Sequence, residues 1–507
     1  MTYSMYLCLT AATLGCTECG SEAAPPSDLP GTLEPVLQRI RHLLEEFGRQ
    51  PISPQAAFDL EHRLQGELRE LGQVGVEWAF NQIESKQVSE LPAHVEFEGL
   101  SYTRVRRQTP EEVATTFGKV RLWRIGYRPT NKTGDPTIFP LRQHLGIVAG
   151  ATPALAERAA RYQAEAGATQ RRTLQRLKQE HGVAWGVKKL RQVTGFVASA
   201  MTEQRHDAQV EQLLRWLEQA WQGKGKHKPV LSVGRDGICI GVPVRGGTIY
   251  EVASAGTVTV LDRRGERVGT VYLAFMPESK QGTMSEQMTR LLQDVLQRWQ
   301  RPLPRLCYVT DAGDNETAYY QTVLRRMRHP RTEEKLEWIR VVDYYHASER
   351  IWSLAETLFG TGPAARTWAR RMQKLLKKPN GIRRVLNSAA VLRSRHQLKR
   401  TKEQEFAKAY NYLRERTKYM HYAAYKRVGI PCGSGVTEAA CKTIYTQRLK
   451  LSGMRWKRAG AQTILDLRVL LLSGVWAAAY QGVLNQVEAV KVPTYDMPAE
   501  KTLEVAA

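Results

Sequence analysis

Pro229-Val-Leu-Ser-Val-Gly-Arg-Asp236 is a short apolar run that ends in a carboxylate and is followed at once by Gly237. It reads as a buried strand. The same form returns twice downstream, in Arg305-Leu-Cys-Tyr-Val-Thr-Asp311 and Trp338-Ile-Arg-Val-Val-Asp343. Between the first two lie three further strand-like runs, Thr248–Ala253, Thr257–Leu261 and Arg267–Phe275, jointed at Ala255-Gly256 and Arg264-Gly265. That is the pattern of an antiparallel meander. Helical spacing fills Ser285–Trp299 and Asn315–Met327. Strands followed by alternating helices and strands imply an α/β unit on a mixed sheet.

A single Asp that closes a strand is more often a turn former or a helix cap than a functional group. Three such residues, Asp236, Asp311 and Asp343, would share one sheet edge if their strands are neighbours, and strand ends are where open α/β sheets bind ligands. Several carboxylates on a rigid platform suit metal-assisted phosphoryl transfer, because two divalent ions must stand close together over the reacting phosphate.

Working outward, residues 1–30 read as a flexible leader and residues 31–93 as a helical region, with Leu33, Val36, Leu37, Ile40, Leu43 and Leu44 on one stripe and a turn at Pro51–Pro54. A small β element occupies 94–140, its strands expected at His94–Arg107 and Thr116–Tyr127, with a loop at Asn131–Pro136. Residues 141–228 return to helix and end in the linker-like Gly223-Lys-Gly-Lys-His-Lys228. Within them, Thr169–Val197 reads either as a helix-turn-helix that presents Lys188, Lys189 and Arg191 to DNA, or as two packed helices around Gly182. The α/β unit is assigned to 229–360 and 429–482, interrupted by a basic helical insertion at 361–428 and followed by a C-terminal tail at 483–507. Val469–Tyr480 is apolar but much shorter than the roughly 20 residues of a membrane span, so it reads as a buried helix.

The 507 residues carry a net charge of +24, unevenly placed. Residues 1–100 hold 15 Asp and Glu against 6 Lys and Arg, whereas residues 361–430 hold 19 Lys and Arg against 3 Glu. Concentrated positive charge points to a polyanion, and nucleic acid fits best because phosphate neutralisation releases condensed counterions. Attachment to a membrane is disfavoured, since Trp368, Tyr410, Tyr412, Tyr419 and Tyr422 are interspersed with charge and form no long apolar stripe. Seven scattered cysteines describe no disulfide framework and fit a reducing, cytoplasmic setting. Cys16-x-x-Cys19 has no second pair at zinc-ribbon spacing.

Glu438 is the only acid among six Lys and Arg between Pro431 and Gly460. Two readings stand: a helix-start Glu paired with Lys442, or a carboxylate that helps hold a divalent metal beside a DNA backbone. Gly433-Ser-Gly435 is expected to form the turn that starts its helix, with a phosphate-cradling loop as the alternative.

Gly234-Arg-Asp-Gly237, Thr310-Asp-Ala-Gly-Asp314, Asp343-Tyr-Tyr-His346 and above all Gly433-Ser-Gly-Val-Thr-Glu438, with Gln447-Arg-Leu-Lys450 and Gly453-Met-Arg-Trp456 after it, resemble a bacterial insertion-sequence transposase of the DDE type, in the ISKra group. The resemblance spans roughly residues 95–480. It implies an RNase H-like catalytic domain, dependence on Mg²⁺ or Mn²⁺, cleavage and strand transfer at element ends, and a homo-oligomer working on double-stranded DNA in the cytoplasm, associated with the nucleoid when bound. Carried over by motif, the triad is Asp236, Asp311 and Glu438. Asp314 is the alternative second Asp, but Asp311 is preferred because it ends its strand and Asp314 suits a helix cap. Asp343 and His346 form an accessory pair, or a cap and a packed His, and Lys442, Arg448, Lys450 and Arg455 join the DNA-binding candidates. The run Tyr127–Asn131 lacks the cysteines that relatives carry after the second early strand, so no zinc element is expected there. The rival readings are a transposase-derived DNA-binding protein without catalysis and an RNase H-like nuclease that cuts without joining.

Overall fold

The computed structural model describes residues 29–84, 87–131, 134–396 and 398–486. Most of the leader, Cys16-x-x-Cys19 and the tail from 487 lie outside the described residues. The chain divides into two units, one of residues up to 163 with 169–197 and 481 onward, the other of 164–168 and 198–480. The division falls inside a long helix, and Gly223–Lys228 is a turn within the second unit.

In the first unit, α1 (Leu29–Arg49) and α2 (Pro54–Phe80) flank the expected proline turn. Ser53 caps α2 by accepting from the Ala56 N–H, and Pro54 takes the first turn, where its missing N–H costs nothing. The segment expected as one strand from 94 is a hairpin, β1 (His94–Phe97) and β2 (Leu100–Arg104), which β5 (Tyr127–Pro129) extends to three strands. A separate ladder pairs β3 (Thr109–Thr115) with β4 (Gly118–Arg124). Short α3 (Pro140–His144), α4 (Pro153–Ala164) and α5 (Gln170–His181) follow, then α6 (Val187–Gln222), which runs on into the second unit. Helix α5 ends at Gly182 in the left-handed conformation.

The second unit is built on one mixed sheet. Its strands are β6 (Val230–Val244), β7 (Gly247–Leu261), β8 (Arg267–Phe275), β9 (Arg305–Thr310) and β10 (Trp338–Val342), in the order β10-β9-β6-β7-β8. The first three are antiparallel, and β9 and β10 run parallel to β6. Between β8 and β10 come α7 (Gly282–Arg298) and α8 (Asp314–Thr322). After β10 follow α9 (Tyr344–Phe359), the insertion helices α10 (Pro363–Leu376), α11 (Gly381–Arg395), α12 (Arg400–Glu415) and α13 (Tyr422–Arg427), then α14 (Gly435–Cys441), α15 (Arg458–Leu472) and α16 (Trp476–Asn485).

Around Val230–Val233, Ala253–Leu261 and β9 both faces of the sheet are buried, as expected where strands read as continuous apolar runs, whereas the far end of the β6–β7 hairpin, with Val244, Ile249, Tyr250 and Val252, is exposed. Met284, Met288, Leu291 and Val295 of α7, with Val210, Leu213 and Leu217 of α6, cover Leu231, Val233, Val258 and Tyr308. Ile351, Leu354 and Leu358 of α9 join Val309 and Val341 to the insertion, whose Trp368, Met372, Val385, Phe406 and Leu413 share that core. The basic segment is therefore part of the second unit's hydrophobic body.

Three sequence expectations need correction. Asp236 does not end a strand: β6 continues eight residues further and stays in register with β7 from Val230↔Leu261 to Val244↔Gly247. The joint at Ala255-Gly256 is absent, and β7 passes straight through it. Gly256 marks a close approach, since a Cβ there would lie 2.5 Å from the Met288 methyl. The apolar helix expected over 469–480 is two helices, broken at Gly474. Among the described residues no single helix is long and apolar enough to cross a membrane.

Candidate active site

Asp236 stands on the face of β6 that receives α14. Gly234, two residues earlier, allows that approach, because a Cβ there would lie 2.0 Å from Thr437 Oγ1. Thr437 instead bonds Thr257 on β7, hydroxyl to hydroxyl at 2.7 Å. One turn on, the Cys441 thiol donates to Asp236 Oδ2 at 3.5 Å, and the Tyr445 hydroxyl donates to the Ser254 and Phe275 carbonyls at 2.6 and 3.1 Å. Lys442–Thr446 form a π-helical turn, which keeps Tyr445 aimed at the sheet. Glu438 is next to Thr437 and one helical turn before Cys441, whose thiol its charge helps to raise.

Asp311 follows β9 directly. Its Oδ1 accepts from the Gly313 N–H at 3.0 Å, and the backbone between them turns through Ala312 at φ 61°, a left-handed conformation that L residues avoid. The insertion holds this turn from outside. The Tyr412 hydroxyl donates to the Asp311 carbonyl, and Arg416 Nη2 donates to the Ala312 carbonyl at 3.2 Å.

The two aspartates feel each other. Burial pushes the Asp236 carboxyl above the usual range, the Gly237 N–H (2.7 Å) and the Cys441 thiol pull against that, and the Asp311 charge adds to the rise, with His346 opposing it. A third carboxylate belongs to this cluster and was missed in the sequence. Glu316, on the first turn of α8, is 7 % exposed. A Cβ at Gly313 would lie 2.5 Å from Glu316 Oε2 and 3.5 Å from Asp311 Oδ1, so both carboxylates flank the same backbone position. Burial raises the Glu316 carboxyl, with the Asp311 and Asp236 charges adding and Arg235 opposing. In sequence Glu316 passes for a helix-start acid. The i, i+3 spacing of Glu438 and Cys441 was the one readable sign that Cys441 lies beside the site.

Asp343 is 2 % exposed and fully occupied. Its Oδ1 accepts from the backbone N–H groups of Tyr345 and His346, and its Oδ2 accepts from the Ser434 N–H and, at 2.6 Å, the Ser434 hydroxyl. It caps α9 and brackets the Gly433-Ser-Gly435 loop. The expected accessory pair is not formed between side chains, because the His346 ring Nδ1 turns to Glu349 at 3.2 Å. Likewise the Ser434 hydroxyl does not cap α14; it is spent on Asp343. Asp314 is not a cap either: Gly313 holds that position and Asp314 is exposed in the first turn of α8.

Glu438 itself is exposed and ion-paired with Lys442 at 3.7 Å. Among the described residues no group of three or more His, Cys, Asp or Glu stands ready to hold a metal ion. Asp236 and Asp311 are close enough to influence each other's charge, whereas Glu438 is engaged with Lys442. Of the basic candidates, Lys450 and Arg455 are exposed, with Lys450 Nζ donating to the Cys239 carbonyl at 3.1 Å. Arg448 is not a surface cation. It is 0 % exposed beneath the Trp456 ring, and burial, with the Arg468 charge, lowers it to about 10. In the first unit Lys188 and Arg191 are exposed, with Arg191 donating to Gln170. Lys189 is half-buried near Gly150, and burial and the Arg142 charge hold its ammonium below the usual range against the pull of Glu111. Its side chain is turned into its own unit.

Compared with the known protein families and with curated protein sequences, the chain matches none.

Proposed function

We propose that the second unit is an RNase H-like catalytic domain and that the chain is a DDE-type DNA transposase, cutting and joining DNA at element ends. The observation that carries this reading is the mutual charge effect of Asp236 on the first strand and Asp311 just after the fourth strand of a mixed five-stranded sheet, with α14, which bears Glu438, packed on Asp236 through Cys441. Two hard-oxygen donors that repel each other are the chemistry a divalent cation relieves, so the aspartates fit Mg²⁺ or Mn²⁺. Asp236 and Asp311 would hold it, and Glu438 would join by leaving Lys442. When bound, such an ion supplies polarisation of the scissile phosphate and acidity of the attacking water or 3′-hydroxyl. The chain's own part is positional. The Tyr412 and Arg416 contacts fix the turn that presents Asp311, the Asp343–Ser434 bracket fixes the start of α14, and the basic helices supply charge for the DNA backbone.

The test is incubation of the purified chain with labelled element-end DNA and Mg²⁺ or Mn²⁺, beside Asp236→Asn, Asp311→Asn and Glu438→Gln. Cleavage and strand joining that all three substitutions abolish is the expected result. Binding without cleavage in the parent would refute the enzyme reading, cleavage without joining would favour a nuclease, and undiminished cleavage by E438Q would remove Glu438 from the site.

A further inference from the structure

From Thr357 to Lys402 the chain has thirteen Lys and Arg and no Asp or Glu. Helix α10 lies in this stretch. Trp368, Ala369, Met372 and Leu376 fix its buried face, so Arg366, Arg370 and Lys374, spaced by four, form an exposed row that Lys378 continues just past the helix. Residues four apart on a helix are neighbours. A row of cations with no acid in the same stretch complements a run of phosphates rather than a protein surface of mixed charge.

The row leads to an aromatic platform next to Asp343. Lys377 lies 4.5 Å above the Tyr344 ring, and the Tyr344 hydroxyl donates to the Gln373 carbonyl of α10 at 3.2 Å. Tyr344 in turn meets Tyr345 edge-on, ring centroids 5.7 Å apart. Tyr345 is 66 % exposed, and one side of its ring rests against Gly433, where a Cβ would be 3.4 Å away. An aromatic ring so exposed, braced from two sides and two residues after Asp343, contributes nothing to the core. It is placed to receive another flat ring.

We propose that Tyr345 is a base-stacking platform for an unpaired nucleotide of a DNA strand whose backbone runs along the Arg366, Arg370 and Lys374 row. The proposal rests on the nucleic-acid reading of this unit and goes beyond it by naming the strand's path and the state of the nucleotide. A paired base hides its faces in the stack, so an exposed ring held in this way engages a nucleotide that is single-stranded or splayed from the duplex.

The experiment measures metal-free binding of the full chain to a short single-stranded oligonucleotide carrying 2-aminopurine and to its duplex, with circular dichroism and thermal melting as controls for folding. Tyr345→Ala should weaken single-strand binding by about tenfold and abolish the fluorescence quenching, with Tyr345→Trp restoring both. Duplex affinity should change less than about twofold. Arg370→Ala with Lys374→Ala should weaken both and flatten the slope of log affinity against log salt by roughly 0.7 to 0.9 for each phosphate no longer neutralised. Equal single-strand affinity and quenching in Y345A would overturn the proposal even if the parent cleaves DNA. Quenched binding by a chain that never cleaves would uphold it while the transposase reading fails.

Discussion

Replacing Asp343 tests whether it is a structural bracket or part of the chemistry. The carboxylate caps α9 through two backbone N–H groups and receives both the N–H and the hydroxyl of Ser434, all in a site almost closed to solvent. Asp343→Ala loses the cap, worth about 1 kcal/mol, and strands buried donors of Ser434 at about 1–3 kcal/mol each. The Ser434 hydroxyl can rotate towards another acceptor but the amide cannot, so the net loss should be about 2–4 kcal/mol. Asp343→Asn keeps an oxygen for the cap but turns an NH₂ towards the Ser434 N–H, for a loss of about 2 kcal/mol. Ser434→Ala leaves the carboxylate with three donors and should cost about 1 kcal/mol. Urea unfolding of the second unit, combined with hydrogen exchange of the amides from Ser434 to Cys441, reads each step. The order Ala, then Asn, then S434A, with exchange accelerated in that segment, is expected. A D343A variant within about 1 kcal/mol of the parent, with protection of that segment unchanged, would refute the bracket. The same reasoning predicts that D343N retains metal-dependent cleavage where D236N does not.

Gly234→Ala should drive Thr437 off β6, lowering stability by about 1–3 kcal/mol and abolishing cleavage; adding Thr437→Ala should recover part of the stability, because the 2.0 Å clash is with that hydroxyl. Arg416→Ala removes the donor from the Ala312 carbonyl and should lower kcat more than KM in a cleavage assay. Ala312→Gly relieves a φ of 61° at about 1 kcal/mol but gives up a buried methyl of similar worth, so its melting temperature should stay within a few degrees of the parent. In the first unit, burial raises Glu84 to about 7 despite backbone N–H donors at Ile125 and Leu141. Folding therefore favours its protonated form. That contribution is complete below about pH 4.5 and disappears as pH rises through about 7, so thermal unfolding should show a matching loss of stability that Glu84→Gln removes.

Much of the fold was legible because it follows local periodicity. Val230, Leu231 and Val233, the run Leu306–Val309 and, on β10, Trp338, Val341 and Val342 are buried, and apolar runs announce that. Strand length was not legible at Asp236. Gly237 resembles a stop in sequence, whereas in the fold it is the small residue that lets Val252 lie over the strand. Arg448 failed for a similar reason: a cation in a basic stretch looks solvated until Trp456 and Arg468 are seen around it. Glu316 carried no signal at all, because its burial depends on how α8 settles against Asp311.

The sequence alone determined that this chain has an α/β unit with a mixed sheet, a strongly basic helical segment and three acids at the ends of apolar runs, because composition and period are properties of neighbouring residues. Tertiary structure alone decided what those acids do. It joined Asp236 to Asp311, gave Asp343 to Ser434, left Glu438 with Lys442 and brought Tyr412 and Arg416 to the turn after β9. All but the Glu438–Lys442 pair join positions 75 to 104 residues apart, and a carboxylate's role is set by which donors and charges surround it in space.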